Sequence, residues 1–456
     1  MKKALALLLA VVMLLGMVAC NNSETETQDN TPTTPAGDDN TTPSDDSGSD
    51  SGEEYTGPTG EITFVAWGSD AEIECDLEAC EAFMASHPGT TVHFEALNDD
   101  YGTAVETRFI GGQSPDVIYG HPQTLLSWMR EGMLMPLSDI YEEHEELWDE
   151  ELYSTNLYDA YLYEGDYYAT PVGACTTVLF YNKDMLDAAG LDYPTADTTW
   201  EELSEMAEAT TVRDADGVPT TIGLSTATGN WLNVLFSKGG KFLDDMNNPT
   251  EVVFESPEAL ETLEWIKQAS DDGIAPSADD GTYLTGGFAG GEYAFYMSGV
   301  YDIVWLSAIE DFEWDIAPLP ESMHQEGDTP VLYAGYAVSS QSENPELAKE
   351  FAYFMTTYEA QRIMAKTGLI TPLRKDVAML DEVLDIPGGP EHHSLRVETL
   401  PYSQNQQGQC LCWWEMTAVV DNYIYQMVDD QITPEDAMHA IQTECSALLD
   451  AELANQ

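Results

Sequence analysis

The period of the apolar positions changes in a regular way along the chain after residue 60. "EITFVAWG" from Glu61 is a short apolar-rich run closing at Gly68, which predicts a buried strand, and the stretch behind it, through Phe83 and Met84, has helical spacing. "TTVHFEA" from Thr90 predicts a second strand, Ala104 to Ile110 a helix, and "SPDVIYG" from Ser114 a third strand whose end carries Tyr119 and His121. Strands and helices in alternation predict an α/β fold with parallel strands.

Further helices are announced by their first turns. Thr199-Trp200-Glu201-Glu202 has the form of a capping box, in which Thr199 and Glu202 each satisfy a free amide. Ser256, Asn344 and Thr433 each precede a Pro-Glu pair. Proline suits the first helical position because its missing amide costs nothing there, and glutamate favours the positive helix end. Behind these starts, apolar residues recur on one face: Leu260, Leu263 and Ile266; Leu347, Phe351 and Phe354; Ala437, Ile441 and Leu448. Such faces predict packing against sheets. No internal repeat is present.

The region ahead of this pattern is different in kind. Lys2 and Lys3, an apolar run from Ala4 to Val18, then Ala19 and Cys20 form a secretion signal, too short for a spanning helix of about 20 apolar residues. Its "MVAC" ending resembles a bacterial lipobox, which implies a signal peptide over 1–20, diacylation of Cys20, and anchoring in membrane lipid by two acyl chains. Residues 21–60 are polar and acidic, with ten acidic residues and Tyr55 as the single aromatic, and predict a disordered linker. A flexible chain of that length reaches on the order of 35 Å.

The body from Glu61 to Gln456 is long enough for two lobes. The formal charge is −68, of which the body carries −60. Nucleic acid is excluded as a partner, since phosphate binding rests on Lys and Arg. Anionic small ligands are disfavoured, neutral sugars are unaffected and cations are favoured. Six cysteines besides Cys20 permit disulfides outside the cell or behave as buried thiols: Cys75, Cys80, Cys175, Cys410, Cys412 and Cys445. Cys410 and Cys412, with His392 and His393 nearby in sequence, raise zinc, but one-residue spacing is unlike the two to four between paired zinc cysteines, so no metal and no cofactor are expected.

Several segments, in order, resemble one family: the extracellular solute-binding proteins that deliver sugars to bacterial ABC importers, the maltose-binding-protein-like group. They are "GGQSPDVIYG" from Gly111, "GMLMPLSDI" from Gly132, "YEGDYYATPVGACTTVLFYNKDMLDAAGLDYPTADTTWEEL" from Tyr163, "FAGGEYAFYMSGVYDIVWL" from Phe288, "FEWDIAPLP" from Phe312, "YAGYAVSSQSENPELAKEFAYFM" from Tyr333 and "GLITPLRKDV" from Gly368. The resemblance covers nearly the whole body. It implies a periplasmic-binding-protein-like type II fold: two α/β lobes with a ligand cleft and a hinge. One lobe would take 61–170 plus 312–370 and the other 171–311 plus 371–456. Chain crossings would lie near Tyr168 to Gly173, Glu310 to Trp314 and Gly368 to Pro372. Closure by hinge bending would trap the ligand.

Sugars offer apolar ring faces and a girdle of hydroxyls, so their sites need aromatic planes and carboxylates or amides. Residues just past strands face the cleft in α/β lobes, which selects Trp67 and Asp70, Tyr119 and His121, and Asn230 and Trp231 in "TGNWLNVLF". The resemblance adds Tyr301, after "MSG", and the late helix opened by Trp413, Trp414 and Glu415. Adjacent tryptophans project about 100° apart on a helix, so one of the pair should face the ligand and the other pack. Tyr336 is expected in the core, and Asp302 at the ligand or on the lobe surface.

No nucleophile elbow, His-Glu-x-x-His pair or Walker loop is present, and the eight histidines are scattered. A binding protein rather than an enzyme is expected: monomeric, lipid-anchored on the outer face of the cell membrane, with carbohydrate and ABC permease subunits as partners. Two other readings stay open. One is a receptor for a cationic solute such as a polyamine or basic peptide; the other is a surface adhesin on the same fold.

Overall fold

The computed structural model describes residues 55–97, 100–276 and 286–455. The signal, Cys20 and almost all of the linker expected at 21–60 lie outside the described residues. Among the described residues, no helix is long and apolar enough to cross a membrane.

The first lobe begins as the periodicity predicts. Strand Gly60–Ala66 runs parallel to Thr90–Ala96, in register from Gly60 opposite Thr90 to Ala66 opposite Ala96, and parallel on its other side to Val117–Gly120. Helix Asp70–Ser86 connects the first two strands, and Ser69 and Glu72 close a capping box at its start. Val and Ile fill the strand faces, and Phe64, Phe83, Phe351 and Tyr336 meet in the core behind them.

Strand Ala169–Asn182 is central to the whole sheet. All 14 of its residues are buried. Its first half pairs antiparallel with strand Thr329–Val338, from Ala169 opposite Ala337 to Thr176 opposite Val331. Its second half pairs with Tyr293–Gly299, from Thr177 opposite Gly299 to Tyr181 opposite Phe295. An 11-stranded sheet therefore runs without a break from Thr90–Ala96 at one edge to Val212–Arg213 at the other. One large core lies on the side of the first half and another on the side of the second, where Trp200, Phe236, Phe254 and Trp413 gather.

The chain changes cores at positions that differ from the expected crossings after the first. Strand Trp314–Ala317 pairs with Leu179–Asn182 and so stays with the second lobe, and the return falls between Leu319 in the second core and Val331 in the first. Leu373 and Leu400 still belong to the first core, so the last passage comes between Leu400 and Cys410. Strand Thr371–Pro372 lies antiparallel to Gly173 and Ala174, as two crossings side by side would.

The predicted caps form with one exception. Thr199, Ser256 and Thr433 accept hydrogen bonds from the amides of Glu202, Ala259 and Asp436 at 3.1 Å each. Asn344 does not cap the Pro345–Phe354 helix; its amide donates to the carbonyl of Glu61 at 2.9 Å, so the tie to the first strand takes the place of the cap. The six cysteines of the body are all free and buried.

Gly173 sits where the two hinge segments touch: a Cβ there would lie 2.3 Å from the carbonyl oxygen of Thr371. Gly102, in helix Tyr101–Ile110, faces open space. Gly173→Ala is therefore expected to lower the melting temperature and uncouple the hinge pairing, while Gly102→Ala raises stability by about 0.5–1 kcal/mol through lost chain entropy. Paired thermal melts of the two variants check both signs.

Candidate functional site

The strand ends of the first lobe bring three of the four expected residues together. Trp67 follows Gly60–Ala66, and its ring centroid lies 4.7 Å from Tyr119 and 5.1 Å from His121. Tyr101 completes the cluster at 4.6 Å, and its hydroxyl donates to the carbonyl of Tyr119 at 2.7 Å. The Nδ1–H of His121 donates to the carbonyl of Tyr333 at 2.6 Å, and burial holds the ring below its ordinary pKa. His121 is thus a neutral imidazole whose Nε2 is the acceptor.

The fourth residue, Asp70, is exposed at the start of its helix, and the carboxylates beside the cluster are Glu72 and Asp76 from the same helix. Both line a narrow recess with Trp67, Tyr119, Val172, Leu369 and Ile370. Glu72 is held by its capping box, accepting from the Ser69 amide at 2.7 Å. Asp76 is 4% exposed, and among the described residues no hydrogen bond reaches its carboxylate. Burial, reinforced by Glu72, pushes its pKa well above the ordinary value of 3.8. The i, i+4 spacing of Glu72 and Asp76 behind a strand end is the sequence pattern that marks them; Tyr101 had no such mark.

In the second lobe the expected residues stand apart from this cluster. Trp231 is 5% exposed, with its ring against Phe242 and Phe254, and Trp413 is 2% exposed against the same Phe242. Both are core residues. Helix Trp413–Val428 turns Trp414 outward at 60% exposure, next to exposed Glu415, so the pair divides between core and surface. Asn230 is buried, and its amide is used locally: it donates to the Thr226 carbonyl at 2.9 Å and accepts from Asn233 at 2.8 Å. Tyr301 is half-buried and folded over Gly299, in a small cluster that shares Ile370 with the first core. Asp302 accepts from Tyr296 at 2.7 Å and Ser298 at 2.6 Å.

Two cavities run along the junction of the lobes and share Asn247. One of about 410 Å³ is lined by Asn156, Asp159 and Tyr333 from the first lobe and by Lys241, Asp244 and Gln404 among others. The other, about 750 Å³, lies between Arg130 and Tyr163 on one side and Gln409, Leu411 and Glu452 on the other. Direct contacts also cross here. Gln123 Nε2 donates to the carbonyl of Cys410 at 2.8 Å, and the Arg130 guanidinium pairs with Glu452. The 410 Å³ cavity is lined mostly by carboxylates and amides, and its volume is that of a small organic ligand site.

With this geometry in view, the comparisons are specific. The profile of the bacterial extracellular solute-binding proteins matches residues 78–388. A binding protein of Brucella abortus is 26% identical over 202 residues, 43% of this chain and 46% of that protein, so the chain spans about half the length of this relative. The arabinooligosaccharide-binding protein of Bacillus subtilis is 25% identical over 349 residues, 72% of this chain and 77% of that protein. Among solved structures, an ABC substrate-binding protein from Listeria monocytogenes in complex with cycloalternan superposes with a TM-score of 0.70 at 24% identity, covering 85% of this chain and 98% of that one. At that identity the likeness establishes the fold: two α/β lobes around a cleft.

Trp231→Ala is expected to cost about 3–5 kcal/mol of fold stability as a buried aromatic truncation, whereas Trp414→Ala stays within about 0.5 kcal/mol of the parent; denaturant titration separates them. Asp76 binds a proton more tightly folded than unfolded, so its contribution to stability falls as pH rises above about 4. Asp76→Asn should therefore raise the melting temperature at pH 7 and lose that advantage near pH 4, which a melting series across pH measures.

Proposed function

The chain belongs to the bacterial extracellular solute-binding proteins, and from that premise we propose that it captures a carbohydrate, an oligosaccharide, between its two lobes and delivers it to an ABC permease. The observation that carries this reading is the convergence of Trp67, Tyr119 and His121 at adjacent strand ends, beside Glu72 and Asp76 and against the hinge residues Leu369 and Ile370. A pyranose ring has an apolar face to stack on the indole and phenol rings, and hydroxyls to donate to the carboxylates and to His121 Nε2. Tyr301 meets the same hinge residue from the second lobe, which makes it the partner surface in this reading. Relatives named for arabinooligosaccharides, lactose and galactooligosaccharides point to the same ligand class.

The remaining assignments follow from that role. The protein acts as a monomer that binds and releases without reaction. Cys20 carries two acyl chains in the outer leaflet, and the acidic linker keeps the body near its permease while letting it swing, which raises the local concentration of loaded receptor. One observation favours a second ligand class: the recess beside Trp67 is lined by two carboxylates and no basic side chain, as a cationic solute would require.

A thermal-shift screen of the full chain against mono- and oligosaccharides, with polyamines and basic peptides alongside, tests both. A ligand at 100 times its dissociation constant adds about 2.7 kcal/mol of stability. A sugar is expected to score, and Trp67→Ala to weaken its binding by about 1–3 kcal/mol while the empty protein melts nearly as before. A response to cations alone would replace the ligand class, and silence throughout would sink the receptor reading.

A further inference from the structure

We propose that Cys410, Cys412 and Glu452 bind a thiophilic divalent cation of the zinc and cadmium class at the junction of the two lobes. The Sγ atoms of Cys410 and Cys412 and a carboxylate oxygen of Glu452 lie within 4.8 Å of one another. Zinc–sulfur bonds of about 2.3 Å at tetrahedral angles hold two sulfurs about 3.8 Å apart, so a small contraction closes the set. The one-residue spacing that argues against a paired zinc motif matters less here, because the third donor arrives from a separate helix, Pro434–Leu453.

The donors are held from outside. The 408–413 turn is fixed by Cys410 N–H to the Gly408 carbonyl at 2.9 Å and Trp413 N–H to the Cys410 carbonyl at 3.2 Å. Gly408 is pressed against Trp413 and Leu243, since a Cβ would lie 2.7 Å and 2.5 Å from them. Glu452 accepts from the amides of Leu411 at 3.0 Å and Cys412 at 2.9 Å, and from Arg130. Ligand carboxylates oriented by outer hydrogen bonds are the usual support of a metal site.

Charge balance points the same way. Two thiolates and a carboxylate carry three negative charges, the divalent ion carries two positive, and Arg130 supplies the third. The buried unit is neutral with the metal in place, and binding releases the two thiol protons. Two buried acceptors, Oε1 of Gln409 on this turn and Oε1 of Gln123 in helix Pro122–Arg130, whose Nε2 donates to the Cys410 carbonyl, have no hydrogen-bond partner among the described residues. Gln409, Leu411 and Glu452 also line the 750 Å³ cavity, which gives the ion a way in.

The test is a titration of reduced, metal-free full chain with cadmium chloride, followed by calorimetry and by thiolate-to-cadmium charge-transfer absorbance. One equivalent with a charge-transfer band is expected; the band should disappear in Cys410→Ser and in Cys412→Ser but persist in Cys80→Ser, whose thiol lies in the other lobe. Arg130→Gln should weaken binding by about 10- to 100-fold. In the parent protein, zinc should protect two thiols from a thiol reagent, a readout that needs no variant. Absence of the band from reduced protein, a band unchanged in both turn variants, or thiols that zinc leaves unprotected would each overturn the proposal. So would a Cys410–Cys412 disulfide that resists reduction.

Discussion

Both lobes depend on one strand. Ala169–Asn182 gives its first half to the partners of the first core and its second half to those of the second, with every residue buried. A strand at the centre of a sheet cannot leave any amide unpaired without a cost of roughly 1–3 kcal/mol per group. The two lobes are therefore tied by backbone hydrogen bonds along one continuous strand. The pairing changes from one neighbour to the other between Thr176 and Thr177, which marks the axis of the junction. Thr371–Pro372, packed against Gly173 with no space for a side chain, adds a second strand to that axis. Arg396, 1% exposed, fastens it by donating to the carbonyls of Gly368 and Ile370 at 2.9 Å each.

This hinge explains where the aromatic recess lies. Leu369 and Ile370 are hinge residues and recess wall at once, and Cys175 on the long strand donates to the Leu369 carbonyl at 3.2 Å. In the proposed reading, a ligand seated on Trp67 and Tyr119 would touch the axis about which the lobes would turn, so a small displacement there would be magnified at the lobe tips. Asp76 sharpens the effect. A buried carboxylate without a donor is destabilising, and a hydroxyl or a cation supplied by a ligand relieves it.

How much of this was legible follows from the kind of signal each residue gives. Strands at Glu61, Thr90 and Ser114 and the capping-box helix at Thr199 were readable because period and cap are local properties. That Trp67, Tyr119 and His121 would lie close together was readable because neighbouring strands of an α/β lobe end side by side. The second-lobe tryptophans were not: Trp231 and Trp413 open helices at the right places, yet both turn inward on Phe242, and the Trp413 contact joins residues 171 positions apart, which no local pattern encodes. The lobe boundaries slipped for the same reason. Trp314–Ala317 is only four residues long and carries Asp315, and only its pairing with Leu179–Asn182 assigns it to the second lobe.

The junction itself shows why the contacts across it are polar. A receptor that must open cannot seal its lobes with apolar area, since at about 25 cal/mol per Å² even 200 Å² would add 5 kcal/mol to every release. Here the contacts across the junction include Gln123 to Cys410 and Arg130 to Glu452. Partners of this kind regain water when they separate, and the Coulomb gain of a buried pair is largely offset by the desolvation of its two ions. Moving a two-state population from 1:99 to 99:1 takes about 5.5 kcal/mol of differential ligand affinity, and contacts of this kind add little to that requirement. Polar latching at the rim and fixed strand pairing at the axis are two halves of one requirement: the hinge must not break, and the mouth must not stick.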